Sequence, residues 1–349
     1  HIPIEGRKSL AELGLEIARI SEQSQQQWQN DSVVTALRQI EEALGVITTE
    51  ALEDILLEGA GVPDTEPERR SKLDIEGLSK ILDGQTRNIK QQLRQEFMTE
   101  KFEKTLSTDR NQYREKVLEW LHQLVQNGYG SLSYPEKYGG RDDMRNYFAT
   151  MEMLSYFDLS LMVKYGVQFG LFGGSILALG TASHHEKYLK DIGLLKLPGC
   201  FAMTETGHGS NVRDIETTAT LDASRHEFII NTPNDAARKD YIGNAALHGQ
   251  LATVFAQLII DGENYGVSAF VVPIRDQTGT VLPGVRIEDC GEKQGLNGVD
   301  NGRIWFDQVR IPMKNLLDRF AQVKENGQYF SPIANPSKRF FTMLGTLVG

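Results

Sequence analysis

The residue pattern changes period at Pro198-Gly199, and this change constrains the fold more than any other feature of the chain. Upstream, apolar residues recur three and four apart, the signature of helices buried on one face. Leu10, Leu13, Ile17 and Ile20 do so, as do Val34, Leu37, Ile40, Leu44 and Ile47 behind Asp31 as N-cap. Leu73, Ile75, Leu78, Ile81 and Leu82 mark a helix after Pro67, and Val117, Leu118, Leu121, Leu124 and Val125 mark one that ends at Gly128. The tract Tyr147 to Tyr165 is apolar nearly all round, as in a buried helix, and Val167 to Gly180 is a glycine-rich helical tract.

Downstream of Gly199 the pattern becomes short β-rich runs between turn residues: Cys200–Thr204, Glu216–Leu221, Glu227–Asn231, Ala252–Ile260, Val267–Pro273, Gly284–Ile287 and Arg303–Phe306. Asp222–Arg225 and Asp261–Asn264 read as hairpin turns. After Pro312 the pattern turns helical again through Leu316, Leu317, Phe320 and Val323, and Phe340–Val348 opens a new apolar tract. The expectation is an α+β multidomain chain with four parts: an N-terminal helical extension over 1–95, an α-helical domain over 96–198, a small antiparallel β-barrel over 199–313, and a linker with the start of a C-terminal helical bundle over 314–349. An apolar helix at the very end implies truncation or an unseen partner.

Composition narrows the class. The 349 residues are 40% hydrophobic and 24% charged, enough to bury more than one core, which excludes a disordered, collagen-like or disulfide-dense chain. With 37 Lys and Arg against 47 Asp and Glu the net charge is −10, which argues against a nucleic-acid partner. An anionic small ligand stays open, because backbone N–H groups hold phosphates without a basic patch. Cys200 and Cys290 lack metal-ligand spacing and read as reduced thiols of an intracellular protein. The adjacent His184 and His185 cannot share a helix face, so they read as surface histidines and no metal site is expected. No apolar run approaches the ~18 residues needed to span a bilayer, and no signal peptide is evident. Ile4-Glu5-Gly6-Arg7 spells a protease-site linker and carries no fold information.

The sharpest local motif is Met203-Thr204-Glu205-Thr206-Gly207-His208-Gly209-Ser210-Asn211, directly after an expected strand. Glycines flanked by hydroxyl residues let successive N–H groups converge on an anion. They equally suit a tight structural loop, and neither a dinucleotide fingerprint nor a P-loop is present. His208 is a general base by type, without an identifiable orienting partner. Asp240-Tyr241-Ile242-Gly243 offers an aromatic residue and a glycine, as a ring-binding ledge or an ordinary turn. Gly295–Gly302 carries two Asn-Gly pairs, hairpin signals before anything else.

Together these stretches resemble the acyl-CoA oxidase branch of the acyl-CoA dehydrogenase/oxidase superfamily. The resemblance runs from Leu132 to Gly349 and rests on Tyr134-Pro-Glu-Lys-Tyr-Gly-Gly140, Cys200-Phe-Ala-Met-Thr-Glu205 with Gly207-His-Gly-Ser-Asn-Val-Arg213, Val271-Val-Pro-Ile-Arg275, Gly295-Leu-Asn-Gly-Val-Asp-Asn-Gly302 and Val309-Arg-Ile-Pro312. It implies a helical domain, a β domain and a C-terminal bundle, with FAD between the last two. Thr204 and Gly243 are the implied flavin contacts, and Met203, Gly207 and Ser210 complete the implied cofactor set. Where many relatives carry paired tryptophans, this chain has Asp240 and Tyr241.

The implied reaction takes a proton from the carbon α to an acyl-CoA thioester and a hydride from the β carbon. Molecular oxygen is then the electron acceptor and yields hydrogen peroxide. Alternatives are a dehydrogenase that serves an electron-transfer flavoprotein, or a non-catalytic acyl-CoA or flavin-binding module. The family's catalytic Glu lies in the C-terminal bundle, expected beyond Gly349. Glu205 does not match it, so the chain alone is expected to lack dehydrogenation activity. Relatives imply a homodimer at full length, and a bacterial cytoplasmic or peroxisomal setting, the former preferred.

Overall fold

The computed structural model describes residues 74–104 and 109–348. The helices expected over Leu10–Ile20 and Asp31–Ile47 lie outside the described residues. The chain divides into two compact units, His1–Ser79 and Lys80–Gly349. The boundary falls within helix α1 (Ile75–Asp83), and everything described below belongs to the second unit.

Helices α2 (Arg87–Glu96), α3 (Arg110–Gln126), α4 (Met144–Phe157) and α5 (Leu159–Tyr165) share one core, in which Leu93, Val117, Trp120, Leu121, Leu124, Leu154, Leu161 and Tyr165 are buried. Because α2 spans 87–96, the helical body begins upstream of residue 96. The Asp109 carboxylate starts α3 by accepting the Asn111 and Gln112 N–H groups at 2.7 and 2.9 Å. The tract Tyr147–Tyr165 is two helices rather than one. Asp158 is extended, ends α4, and accepts the Leu161 N–H at 2.9 Å to begin α5. A wider π-type turn over Gly166–Phe172 then leads into α6 (Gly173–Leu179), and α7 (Ala182–Gly193) follows.

Two expectations need correction here. His184 is 4% exposed rather than a surface residue: it forms a capping box with Thr181, and its Nε2 lies 3.0 Å from the Lys314 carbonyl. The stretch Leu159–Leu179 is 21 residues of continuous helix, long and apolar enough to cross a membrane by length and composition. Glycines and single polar residues hid its length from a run-based reading. Over half of its most apolar window is buried within the fold, where Phe172, Ile176 and Leu179 pack on Tyr134, Leu189 and Ile192.

The β domain is built on two sheets. Strands β1 (Gly199–Ala202), β2 (Thr218–Asp222), β3 (Glu227–Asn231), β5 (Leu251–Ile260), β6 (Glu263–Pro273) and β9 (Val309–Pro312) form the larger, and β4 (Lys239–Ile242), β7 (Val285–Asp289) and β8 (Gly302–Phe306) the smaller. The larger sheet is not wholly antiparallel, since β1 and β2 both run parallel to β5. The Asp261-Gly262 turn has φ of 50° and 83° and closes the β5–β6 hairpin, as its residue types predict. Strand β5 shows no polar alternation because it is covered on both sides. Its Val254, Ala256 and Leu258 face the β interior with Phe228, Phe270 and Ile304, while Phe255 joins Val267, Ala269 and Val271 against Tyr134, Phe172 and Phe340 of the helices.

The helix expected after Pro312 is only a single 3-10 turn, Met313–Asn315. Leu316 and Leu317 instead pair with the β6 edge, where Leu317 N–H donates to Ala269 O at 2.9 Å, so their burial comes from a sheet edge and not from a helical face. Val323 lies in the two-residue strand β10 (Gln322–Val323), which pairs with β11 (Tyr329–Phe330), and helix α8 (Pro336–Val348) begins only later.

The loop from β7 to β8 docks on the helical body: Gly298 N–H donates to Ser160 Oγ at 3.2 Å, and buried Arg114 donates to Asp289 at 3.0 Å. The Arg114 hydrogen bond holds the Asp289 carboxyl below its ordinary 3.8. Stability from this pair is therefore present above pH 3.8 and is lost as pH falls through the lower folded value. Asp289→Asn is expected to cost about 1 kcal/mol at pH 7 in urea unfolding, and its difference from the parent should vanish in acid.

Candidate cofactor site

The site begins with a gap in a sheet. Strand β1 ends with Ala202 opposite Val254, and β2 begins with Thr218 opposite Gln257, both on the same edge of β5. Residues 203–217 leave the sheet opposite Phe255 and Ala256, where the ladder has no donor to offer. The Lys239 ammonium fills that gap. It donates to Phe255 O at 2.7 Å, to Met203 O at 3.0 Å and to Glu205 Oε1 at 2.9 Å, and it is fully buried. Burial pulls Lys239 down to about 8, outweighing the Glu205 carboxylate that pulls it up. Glu205 in turn accepts Glu216 N–H at 2.7 Å, Thr217 N–H at 3.0 Å and the Thr217 hydroxyl at 2.6 Å. A carboxylate so occupied has no free face for a substrate proton.

Met203 and Glu205 are both buried, at 7% and 1% exposed, and Thr204 between them is half-buried. The Thr204 hydroxyl has no partner among the described residues, and its carbonyl accepts Asp240 N–H at 3.0 Å. The rest of the turn is stitched to the approach to β4: Thr206 N–H donates to Arg238 O at 3.1 Å and Gly207 N–H to Ala236 O at 2.8 Å. His208 N–H returns to Glu205 O at 3.1 Å. The Gly207 amide is thus committed internally and is no anion donor. The amides of Gly209, Ser210 and Asn211 are among those of this loop without acceptors among the described residues, and Ser210 is exposed. His208 does have a neighbour, Glu216 Oε1 at 3.5 Å from Nε2, which only the folded loop brings near.

The second half of the site follows β4. Tyr241 is 63% exposed with φ of 56°, held by Asn301 Nδ2 donating to its carbonyl at 2.8 Å. A Cβ on Gly243 would stand 3.0 Å from Val167 of the π-type turn, so glycine permits this close approach of loop to helix. Asn244 donates to Gly199 O at 2.8 Å, tying this segment to the start of β1. Lys164 donates to Asn244 Oδ1 at 2.8 Å and to Asp300 Oδ1 at 2.6 Å. Asp300 Oδ2 accepts the Leu247 and His248 N–H groups at 3.0 Å each. Burial would raise the Asp300 carboxyl, but Lys164 and His248 hold it far below the carboxylate range. Arg275 donates to Ala245 O and Gly249 O at 2.8 and 2.9 Å and completes the hold on residues 243–249.

Sequence reasoning singled out Thr204 and Gly243 but missed Lys239, Lys164, Asp300 and Arg275. One signal was available. Lys164 is the one charged residue of Leu159–Leu179, and a buried cation demands a partner. The partner's identity, 136 residues away, had no signature. No group of three metal-ligating side chains occurs among the described residues, and Cys200 and Cys290 are free thiols.

Removing Lys239 tests the gap-filling role. Lys239→Met leaves Glu205 buried without its cation and is expected to cost about 3–5 kcal/mol in urea unfolding. Lys239→Met with Glu205→Gln should cost less, about 1–3 kcal/mol, because the Met203 and Phe255 carbonyls still lack a donor.

Comparison with known proteins places this geometry in a family. Residues 85–193 match the acyl-CoA dehydrogenase N-terminal domain, and residues 200–309 match the acyl-CoA dehydrogenase middle domain. The peroxisomal acyl-coenzyme A oxidase 2 of Arabidopsis thaliana is 46% identical over 292 residues, covering 80% of this chain and 42% of that protein. The crystal structure of acyl-CoA oxidase 3 from Yarrowia lipolytica superposes with a TM-score of 0.67 at 33% identity, over 75% of this chain and 37% of that one. Acyl-CoA oxidase-1 of Caenorhabditis elegans, solved in complex with FAD and ATP, gives 0.61 at 27% identity over 75% and 40%. The chain therefore spans about two fifths of the length of these relatives. These relatives are eukaryotic, and the bacterial setting expected above finds no support among them. On both domain matches and on the fold, this chain belongs to the acyl-CoA dehydrogenase/oxidase superfamily, of which it carries the N-terminal and middle domains.

Proposed function

We propose that this chain is the helical and β-domain portion of an acyl-CoA oxidase that converts acyl-CoA and oxygen to trans-2-enoyl-CoA and hydrogen peroxide in fatty-acid β-oxidation. The observation that carries this reading is the two-segment cradle. The Thr204 hydroxyl, without a partner among the described residues, and the side-chain-free Gly243 stand on segments joined by Asp240 N–H to Thr204 O at 3.0 Å. This donor set suits FAD: a hydroxyl for the polar edge of the ring, a glycine for close approach of its plane, and the open Gly209–Asn211 amides for phosphate. FAD would supply the hydride acceptor and the route of electrons to oxygen.

The chain's own residues bind and orient. Met203 seats the turn in the apolar contact between helices and sheet, Thr204 presents the hydroxyl, and Gly243 keeps the loop close to Val167. The base that takes the α proton is not Glu205, whose carboxylate is held by Lys239, Thr217 and the Glu216 N–H. We place that base on a Glu beyond Gly349. A peroxisomal setting and a homodimer at full length belong to the same reading, the former from the name of the Arabidopsis relative.

The test uses this chain completed to the length of its relatives and loaded with FAD. Acyl-CoA added without air should bleach the flavin absorbance, and air should restore it with one hydrogen peroxide per enoyl-CoA. Bleaching that air does not reverse would point to a dehydrogenase, and no bleaching to a binding module. Thr204→Val is expected to weaken FAD binding about tenfold without lowering the unfolding midpoint.

A further inference from the structure

Asp240 is 7% exposed, and its carboxylate joins segments that are distant in sequence. Oδ2 accepts the Thr206 hydroxyl at 2.7 Å, across from the strand-end turn. Oδ1 accepts the Tyr241 N–H at 2.9 Å and Arg303 Nε of β8 at 3.2 Å, and Arg238 Nε lies 3.5 Å from Oδ2. Burial works against the charge. The Thr206 hydroxyl, the Tyr241 N–H and the two guanidinium groups outweigh it and hold the carboxyl below its usual value, so it stays ionised at neutral pH. Cys290 Sγ, at 3.8 Å from Oδ1, is the remaining titratable neighbour, and burial keeps its thiol protonated.

Resting on the flavin reading above, we propose that Asp240 is a positioning residue for the cofactor site. It fixes the Thr204–Gly207 turn and the left-handed Tyr241 backbone at one spacing, and so sets where the Thr204 hydroxyl stands relative to Gly243. The base of the turn does not need it, because Lys239 and Glu205 close the sheet gap beneath. The tip does need it. A non-glycine residue at φ of 56° is costly unless its neighbours over-determine it, and Asp240 and Asn301 grip Tyr241 from its N–H and its carbonyl. Apart from the Lys239–Glu205 pair at the base, residues 204–207 are joined to this segment by main-chain bonds, and the Thr206–Asp240 bond is the side-chain link at the tip that reports directly on their spacing.

The test compares Thr206→Val, Thr206→Ser, Asp240→Ala and the double variant Asp240→Ala with Thr206→Val. FAD affinity, the visible flavin spectrum and hydrogen exchange at the Thr206–His208 amides are read on the completed chain. Thr206→Val should weaken FAD about tenfold, shift the flavin bands and speed exchange, and Thr206→Ser should restore all three. The double variant should be no worse than Asp240→Ala, since both remove one clasp. Losses that multiply in the double variant, or unchanged affinity and exchange in Thr206→Val, overturn the proposal. Should Asp240→Ala not fold, the Thr206 pair decides alone. A parent protein that takes up no FAD removes the flavin reading, and exchange with serine rescue then decides whether the clasp exists.

Discussion

The structure depends on how β5 loses and regains its neighbour along one edge. A sheet edge that passes from one parallel strand to another leaves backbone carbonyls without partners, and a buried carbonyl without a donor is costly. The Lys239 ammonium answers this with three bonds from one side chain, and Glu205 neutralises it while satisfying the N–H groups at the start of β2. An apolar residue could fill the volume but not the hydrogen bonds. Because the pair sits under the turn, the turn itself is free to carry a Thr204 hydroxyl that has no partner among the described residues.

A second buried network does the corresponding work for the other half of the site. Lys164 reaches from the helical body to Asn244 and Asp300, and Asn244 reaches back to Gly199 at the start of β1. The loop after β4 is thereby fixed to both the helices and the larger sheet. Gly243 needs this accuracy, since a Cβ there would stand only 3.0 Å from the Val167 side chain, which would have to give way. Both halves of the cradle are thus positioned by charges removed from water, each paired and hydrogen-bonded, as burial requires.

This arrangement separates holding from chemistry. Glu205 stands beside the proposed ring-binding residue and looks, by type and place, like a base, yet its lone pairs are occupied by Lys239 and by three N–H and O–H donors. A carboxylate whose oxygens are engaged in closing a sheet edge is unsuited to taking a substrate proton. Asp240 is likewise held by Thr206, Tyr241 and Arg303. The acidic groups closest to Thr204 are structural, which agrees with the proposal above that the base is not among them.

The sequence by itself determined the elements whose causes are local. The change of period at Gly199, the β3 boundaries Glu227–Asn231 and the Asp261-Gly262 hairpin follow from alternation and turn chemistry within a few residues. So does the motif at Thr204, because a strand end followed by glycines is readable in order. Strand β4 was not legible, since four residues beginning Lys-Asp show no apolar alternation and pair only because β8 arrives from sixty residues away. The parallel pairing of β1 and β2 on β5, the extended path of Leu316 and Leu317, and the roles of Lys239, Lys164, Asp300 and Arg275 were decided by tertiary structure alone. The reason is physical: a charge's burial and its partner are properties of where distant segments meet, and no local period encodes that meeting.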